Sequence, residues 1–70
     1  MEFNKLVDKA WADRSLAEIL DAPVSALNGV SDGDAEKLAA AFNVRTVRDL
    51  ATNKYFVRAR ALFLAAGEDR

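Results

Sequence analysis

Seventy residues, 51% of them hydrophobic and 30% charged, describe one small globular domain, and a chain of this size buries only roughly 60% of its unfolded surface. No cysteine is present, which excludes disulfides, thiolate metal centres and cysteine nucleophiles; no histidine is present, which removes the commonest general base, proton shuttle and metal ligand. A formal net charge of −1 excludes a chain that is basic or acidic throughout.

The first segment, residues 2–14, carries Phe3, Leu6, Val7, Ala10 and Trp11 at spacings of three and four, which predicts an amphipathic helix. Ser15 stands three residues before Glu18, the spacing of a capping box, and predicts a short helix from Leu16 to about Asp21 with Leu16, Ile19 and Leu20 inward. Pro23 suits a first helical turn, so Pro23 to Leu27 is expected as one or two turns with Val24 and Leu27 facing the core, ended by Gly29. Ser31 is placed to cap the next helix, with Asp32 and Asp34 in its first turn and Ala35, Leu38, Ala39 and Phe42 on its apolar face; Asn43 is a tolerable left-handed stop. Thr46 and Asp49 repeat the capping-box spacing and open a brief helix through Val47, Leu50 and Ala51. Asn53 can cap the last helix, 54–66, in which Tyr55 or Phe56, Ala59, Leu62, Phe63 and Ala66 recur at helical spacing before Gly67. No stretch alternates apolar and polar residues between turn signals. The expectation is an all-α single domain over 1–70, a compact bundle of about five short helices.

Charges at Asp8, Lys9, Asp13 and Arg14 interrupt the first residues, so no apolar stretch of signal-peptide length stands there. The longest uncharged run, Ala22 to Ser31, is about half the roughly 20 residues of a membrane span and contains Pro23 and Gly29. The chain reads as cytoplasmic, with no membrane association.

Residues 23–51 have the layout of a short helix, a glycine turn and a second helix with Ala and Leu at fixed offsets: Leu27-Asn28-Gly29-Val30-Ser31, Ala35 and Leu38, then Thr46-Val47 and Leu50-Ala51. This resembles the helix-hairpin-helix family, and is similar to the hairpin half of the small helical N-terminal domain of archaeal and eukaryotic RecA-like recombinases. The resemblance implies a SAM-like bundle. Leu27 and Val30 would plug the hairpin into the core, Gly29 would turn where a Cβ would clash, and Ala35 with Leu38 would let the second helix sit close. Where that family binds nucleic acid, a second glycine exposes N–H groups to a phosphate and a basic residue follows. Here Ser31 takes that position and Asp32, Gly33 and Asp34 follow. A carboxylate beside a phosphate is repelled by about 1 kcal/mol even in full water screening, so the turn is expected to be structural. No second hairpin follows Ala51.

Near-neutrality conceals a division. Residues 1–40 hold eight acids against four bases, net −4, whereas residues 41–66 hold Arg45, Arg48, Lys54, Arg58 and Arg60 against Asp49, net +4. The five bases, with Tyr55 and Phe56 between them, have the composition of a nucleic-acid patch; equally they describe a solvated face, or a surface that docks on an acidic protein or on the acidic half of a second copy. Ser15, Ser25 and Ser31 have no histidine to activate them, Asp32 with Asp34 lacks a third ligand or base nearby, and no phosphate-cradling glycine loop exists. The expectation is therefore no enzyme, no cofactor, no metal and no small-molecule substrate. It is instead a module that binds a protein partner or itself through a degenerate hairpin, with DNA binding through residues 45–60 as the alternative. Phe3, Trp11, Tyr55 and Phe56 are the candidate apolar interface residues.

Overall fold

The computed structural model describes residues 5–67. They form four α-helices, α1 (Leu16–Leu20), α2 (Asp32–Phe42), α3 (Val47–Thr52) and α4 (Lys54–Ala65), with single 3-10 turns at Lys9–Trp11 and Val24–Ala26. No strand is present among the described residues, only isolated antiparallel bridges pairing Val7 with Leu27 and Pro23 with Thr46.

Each helix starts where local chemistry satisfies its first N–H groups. At α1 the Glu18 N–H donates to Ser15 Oγ and the Ser15 N–H donates to Glu18 Oε1, both at 3.1 Å. At α3 Thr46 and Asp49 make the same reciprocal pair, at 3.0 and 3.2 Å. Ser31 Oγ accepts from Asp34 N–H to open α2, and Asn53 Oδ1 accepts from Tyr55 and Phe56 N–H to open α4. Helix α2 ends on Asn43, whose φ of 57° and ψ of 30° are left-handed.

One predicted helix is replaced and another takes its shortest form. The helix expected over 2–14 is absent from its described part: Asp8 N–H donates to Ala26 O at 2.8 Å and Asn28 N–H to Leu6 O at 2.9 Å, so the backbone of residues 6–8 is spent on residues 26–28. Asp8 then caps the short turn through Ala10 N–H. The one or two turns expected from Pro23 to Leu27 are found as a single 3-10 turn, Val24–Ala26, which goes no further because Ala26 O accepts from Asp8 N–H rather than from a later turn. Gly29 also differs from expectation. A Cβ there would meet nothing within 4 Å, so the glycine answers to its φ of 96° rather than to crowding.

The buried core is Val7, Ile19, Ala22, Val24, Ala26 and Val44. It lies where the 22–24 segment crosses the 44–47 segment, tied by Val24 N–H to Arg45 O and Val47 N–H to Ala22 O. Leu16, expected inward, is exposed, and no residue of α2, α3 or α4 is fully buried. Helix α4 is joined to α3 by Asn53 alone and packs against it.

Candidate functional site

The turn at residues 27–31 is closed on itself. Leu27 and Val30 are half-buried and linked by a Val30 N–H to Leu27 O bond of 3.1 Å, while Ser31 is spent on capping. With Asp32 and Asp34 in the first turn of α2, the positive end of that helix faces its own carboxylates.

The five bases do not form one stripe. Arg48 Nε pairs with Asp21 Oδ1 at 3.1 Å, bracing α3 against α1, and Arg45 Nε donates to Asn43 Oδ1 at 3.2 Å. Lys54 Nζ lies 5.2 Å from the Tyr55 ring centroid, and the Arg60 guanidinium 5.4 Å from that of Phe63. Successive residues on a helix stand about 100° apart, so Arg58 and Arg60 project roughly 200° apart. Arg58 is exposed.

Of the candidate apolar residues, Phe3 lies outside the described residues. Trp11 is half-buried in its 3-10 turn with the Arg14 guanidinium 5.5 Å from its ring. Tyr55 and Phe56 meet at Phe42, at ring-centroid distances of 5.8 and 5.7 Å. The structure thus gathers two of the four around a residue of α2.

The larger feature is the rest of α4. Tyr55, Val57, Leu62, Phe63 and Leu64 are 40–73% exposed, with Leu62 the most. Between α3 and α4 runs an open groove of about 470 Å³, lined by Leu50 and Ala51 on one side and by Phe56, Val57, Arg60, Ala61 and Leu64 on the other. A second hollow of about 380 Å³, lined by Asp32, Ala35, Glu36, Ala39 and Arg45, is shallow and mixed in character. Val57 and Leu64 escape a reading based on one apolar stripe because they belong to another face. The signal for them is the run Leu62-Phe63-Leu64, which spans about 200° of helix circumference.

Two carboxylates are held below their ordinary range. The Arg45 backbone N–H, then that of Thr46, does this for Asp49; the Ser15 backbone N–H and hydroxyl, then Arg14, do it for Glu18. Both groups are better acids when folded than unfolded. Their stabilisation is in force above the unfolded values near pH 4 and is lost as pH falls through the lower folded values. We expect Asp49→Asn to flatten the acid side of the stability profile below about pH 4, read by circular dichroism in urea at fixed pH steps. At pH 7 Thr46→Ala should cost about 1 kcal/mol.

Among the described residues, no group of three His, Cys, Asp or Glu side chains is placed to hold a metal, and no helix is long and apolar enough to cross a membrane. Comparison with known proteins finds no matching family model, no matching curated protein and no matching solved structure.

Proposed function

We propose that this chain is a non-catalytic helical module that binds another protein through α4 and the groove beside it. Its scaffold is a degenerate helix-hairpin-helix made of the 3-10 turn Val24–Ala26, the Gly29 turn and α2. The supporting observation is the exposure of α4. A helix that is apolar on several faces belongs in an interior, yet five large apolar residues of α4 stand open to solvent. With side chains of about 150–250 Å² for the aromatics, the exposed part of the five is on the order of 500 Å², divided between a face with Tyr55, Leu62 and Phe63 and an opposite one with Val57 and Leu64. The larger of the two faces is then on the order of 300 Å², the size of the largest apolar patch on a typical monomer.

The alternative is DNA binding, favoured by the cations Lys54, Arg58 and Arg60 on a helix without an acid. Against it stand the divergence of Arg58 from Arg60 and the apolar character of the surface between them. The discriminating variant is Leu62→Glu with Leu64→Glu. Both side chains are exposed in the free chain, so helix content and unfolding midpoint should hold, with each change worth within about 0.5 kcal/mol. Proteins cross-linked to the unmodified chain should be lost by more than about tenfold, as for a central interface anchor. Sub-micromolar binding of a short DNA duplex in low salt, abolished by Arg58→Glu and untouched by the leucine changes, would replace this reading with the alternative.

A further inference from the structure

The face of α4 turned away from the groove has a regular order of sizes. At about 100° per residue, Tyr55, Ala59, Leu62 and Ala66 fall within a strip roughly 60° wide, and all four are exposed. The strip reads large, small, large, small. Arg58 borders it on one edge and Phe63 on the other, while Val57 and Leu64, which line the groove, lie on the opposite side of the helix.

This order is self-complementary. Laid antiparallel about a two-fold axis between residues 60 and 61, two copies of α4 bring Tyr55 level with Ala66 and Leu62 level with Ala59, so each large side chain meets a small one. A parallel pair sets Tyr55 on Tyr55 and Ala59 on Ala59, a clash beside a gap. Antiparallel registers shifted along the strip fail in the same way, placing Tyr55 on Leu62 or Ala59 on Ala66.

From this we infer that the chain pairs with a second copy of itself, antiparallel, through the Tyr55, Ala59, Leu62 and Ala66 face of α4. The inference goes beyond the docking reading, because it leaves the groove of each copy open to another protein. Charge agrees with the antiparallel order. Pairing brings Lys54 level with Gly67 of the second copy, where the sequence runs on into Glu68 and Asp69, and does so twice. The two Arg58 side chains share one edge, displaced by five residues or about 7.5 Å along the axis, a single repulsion against two attractions. Area sets the strength. Tyr55, Leu62 and Phe63, with Phe42 beside Tyr55, expose on the order of 400 Å², and a two-fold uses this face on both sides for about 800 Å² in all. Stable complexes bury about 1,200–2,000 Å², so the dimer is transient and forms at high micromolar to millimolar concentration.

The test uses the full chain, which has no cysteine of its own. Sedimentation should show a monomer at micromolar concentration and a growing dimer toward millimolar, with the largest amide shifts at Tyr55, Ala59, Leu62 and Ala66. An oxidised mixture of Tyr55→Cys and Ala66→Cys chains should give mainly the mixed disulfide, since in the antiparallel pair Tyr55 stands roughly 16 Å along the axis from its own counterpart. Ala59→Leu adds apolar surface but fills the seat of Leu62, so it should weaken the dimer at least fivefold. Ala59→Leu with Leu62→Ala, which exchanges large and small, should restore it. Lys54→Glu should weaken the dimer, Arg58→Gln should tighten it and Leu64→Glu should leave it unchanged. Each substituted side chain is exposed, so helix content should hold throughout. A chain that stays monomeric to millimolar concentration, with cross-linked partners lost on Leu64→Glu alone, overturns this inference and leaves the docking reading standing. A Tyr55→Cys homodisulfide as the main product shows parallel pairing, and a dimer strengthened by Ala59→Leu shows unspecific apolar association; either overturns it. Loss of the dimer on Leu64→Glu but not on Leu62→Glu moves the contact to the groove and overturns it too.

Discussion

Val24→Ala and Val44→Ala should each lower the unfolding free energy by about 2–3 kcal/mol, since the transfer term for two lost carbons is about 1.6 kcal/mol and an unrelaxed cavity adds to it. These are the two largest fully buried side chains, with 0% and 1% of their surface exposed. They sit where the crossing segments 22–24 and 44–47 are tied by main-chain hydrogen bonds and the Pro23–Thr46 bridge, so the backbone around them has little freedom to collapse inward. A chain of this size draws about 3–5 kcal/mol from its core. One truncation therefore removes about 40% or more of the stability, and the double variant should be unfolded at 25 °C. The two sites share a packing neighbourhood, so their effects are not expected to add simply. Urea unfolding followed by circular dichroism checks this, with Leu62→Ala as the surface control expected to stay within about 0.5 kcal/mol. A loss below about 0.5 kcal/mol at both valines would show that the crossing is not where the fold is held.

The core was the least legible part of the molecule. Ala22 and Ala26 are nearly inaccessible, but an alanine is as ordinary on a surface as in an interior, and no periodicity marks these two. The helix caps were legible because their chemistry closes within three residues: Ser15 with Glu18, Ser31 with Asp34, Thr46 with Asp49 and Asn53 with Phe56. The helix expected over 2–14 has the right stripe, yet pairing of residues 6–8 with 26–28 wins, and nothing local in Leu6 or Val7 announces a partner some twenty residues away. Likewise α4 has the pattern of a packed helix. Periodicity states which residues share a face and is silent on whether the chain supplies anything to cover it. Tyr55 and Phe56 could be named in advance, but their meeting at Phe42 depends on how α2 and α4 cross.

Phe42→Ala should release α4 while leaving the core folded. Helix α4 has no buried residue, is connected by Asn53 alone, and packs on α3, with Phe42 touching both aromatic rings of its first turn. Aromatic pairs of this geometry are worth about 0.5–1.5 kcal/mol each beyond the area they cover. Phe42 is itself 45% exposed, so the full cost of a buried phenylalanine does not apply, and about 2 kcal/mol is the expected weakening of the α4 attachment. Native-state hydrogen exchange resolves where that falls. Amides of α4 should lose protection by about 30-fold, while those of Val24 and Val47, bonded across the central crossing, should change little. The groove has α4 as one wall, so a peptide that docks there should bind more weakly to Phe42→Ala with no contact of its own removed; Phe42→Leu, which keeps apolar bulk, should recover part of both losses. A uniform drop in protection across all amides would mean that α4 and the core unfold as one unit. Helix α4 would then be as stable as the fold itself, and any weaker peptide binding by the variant would have to arise from the groove lining.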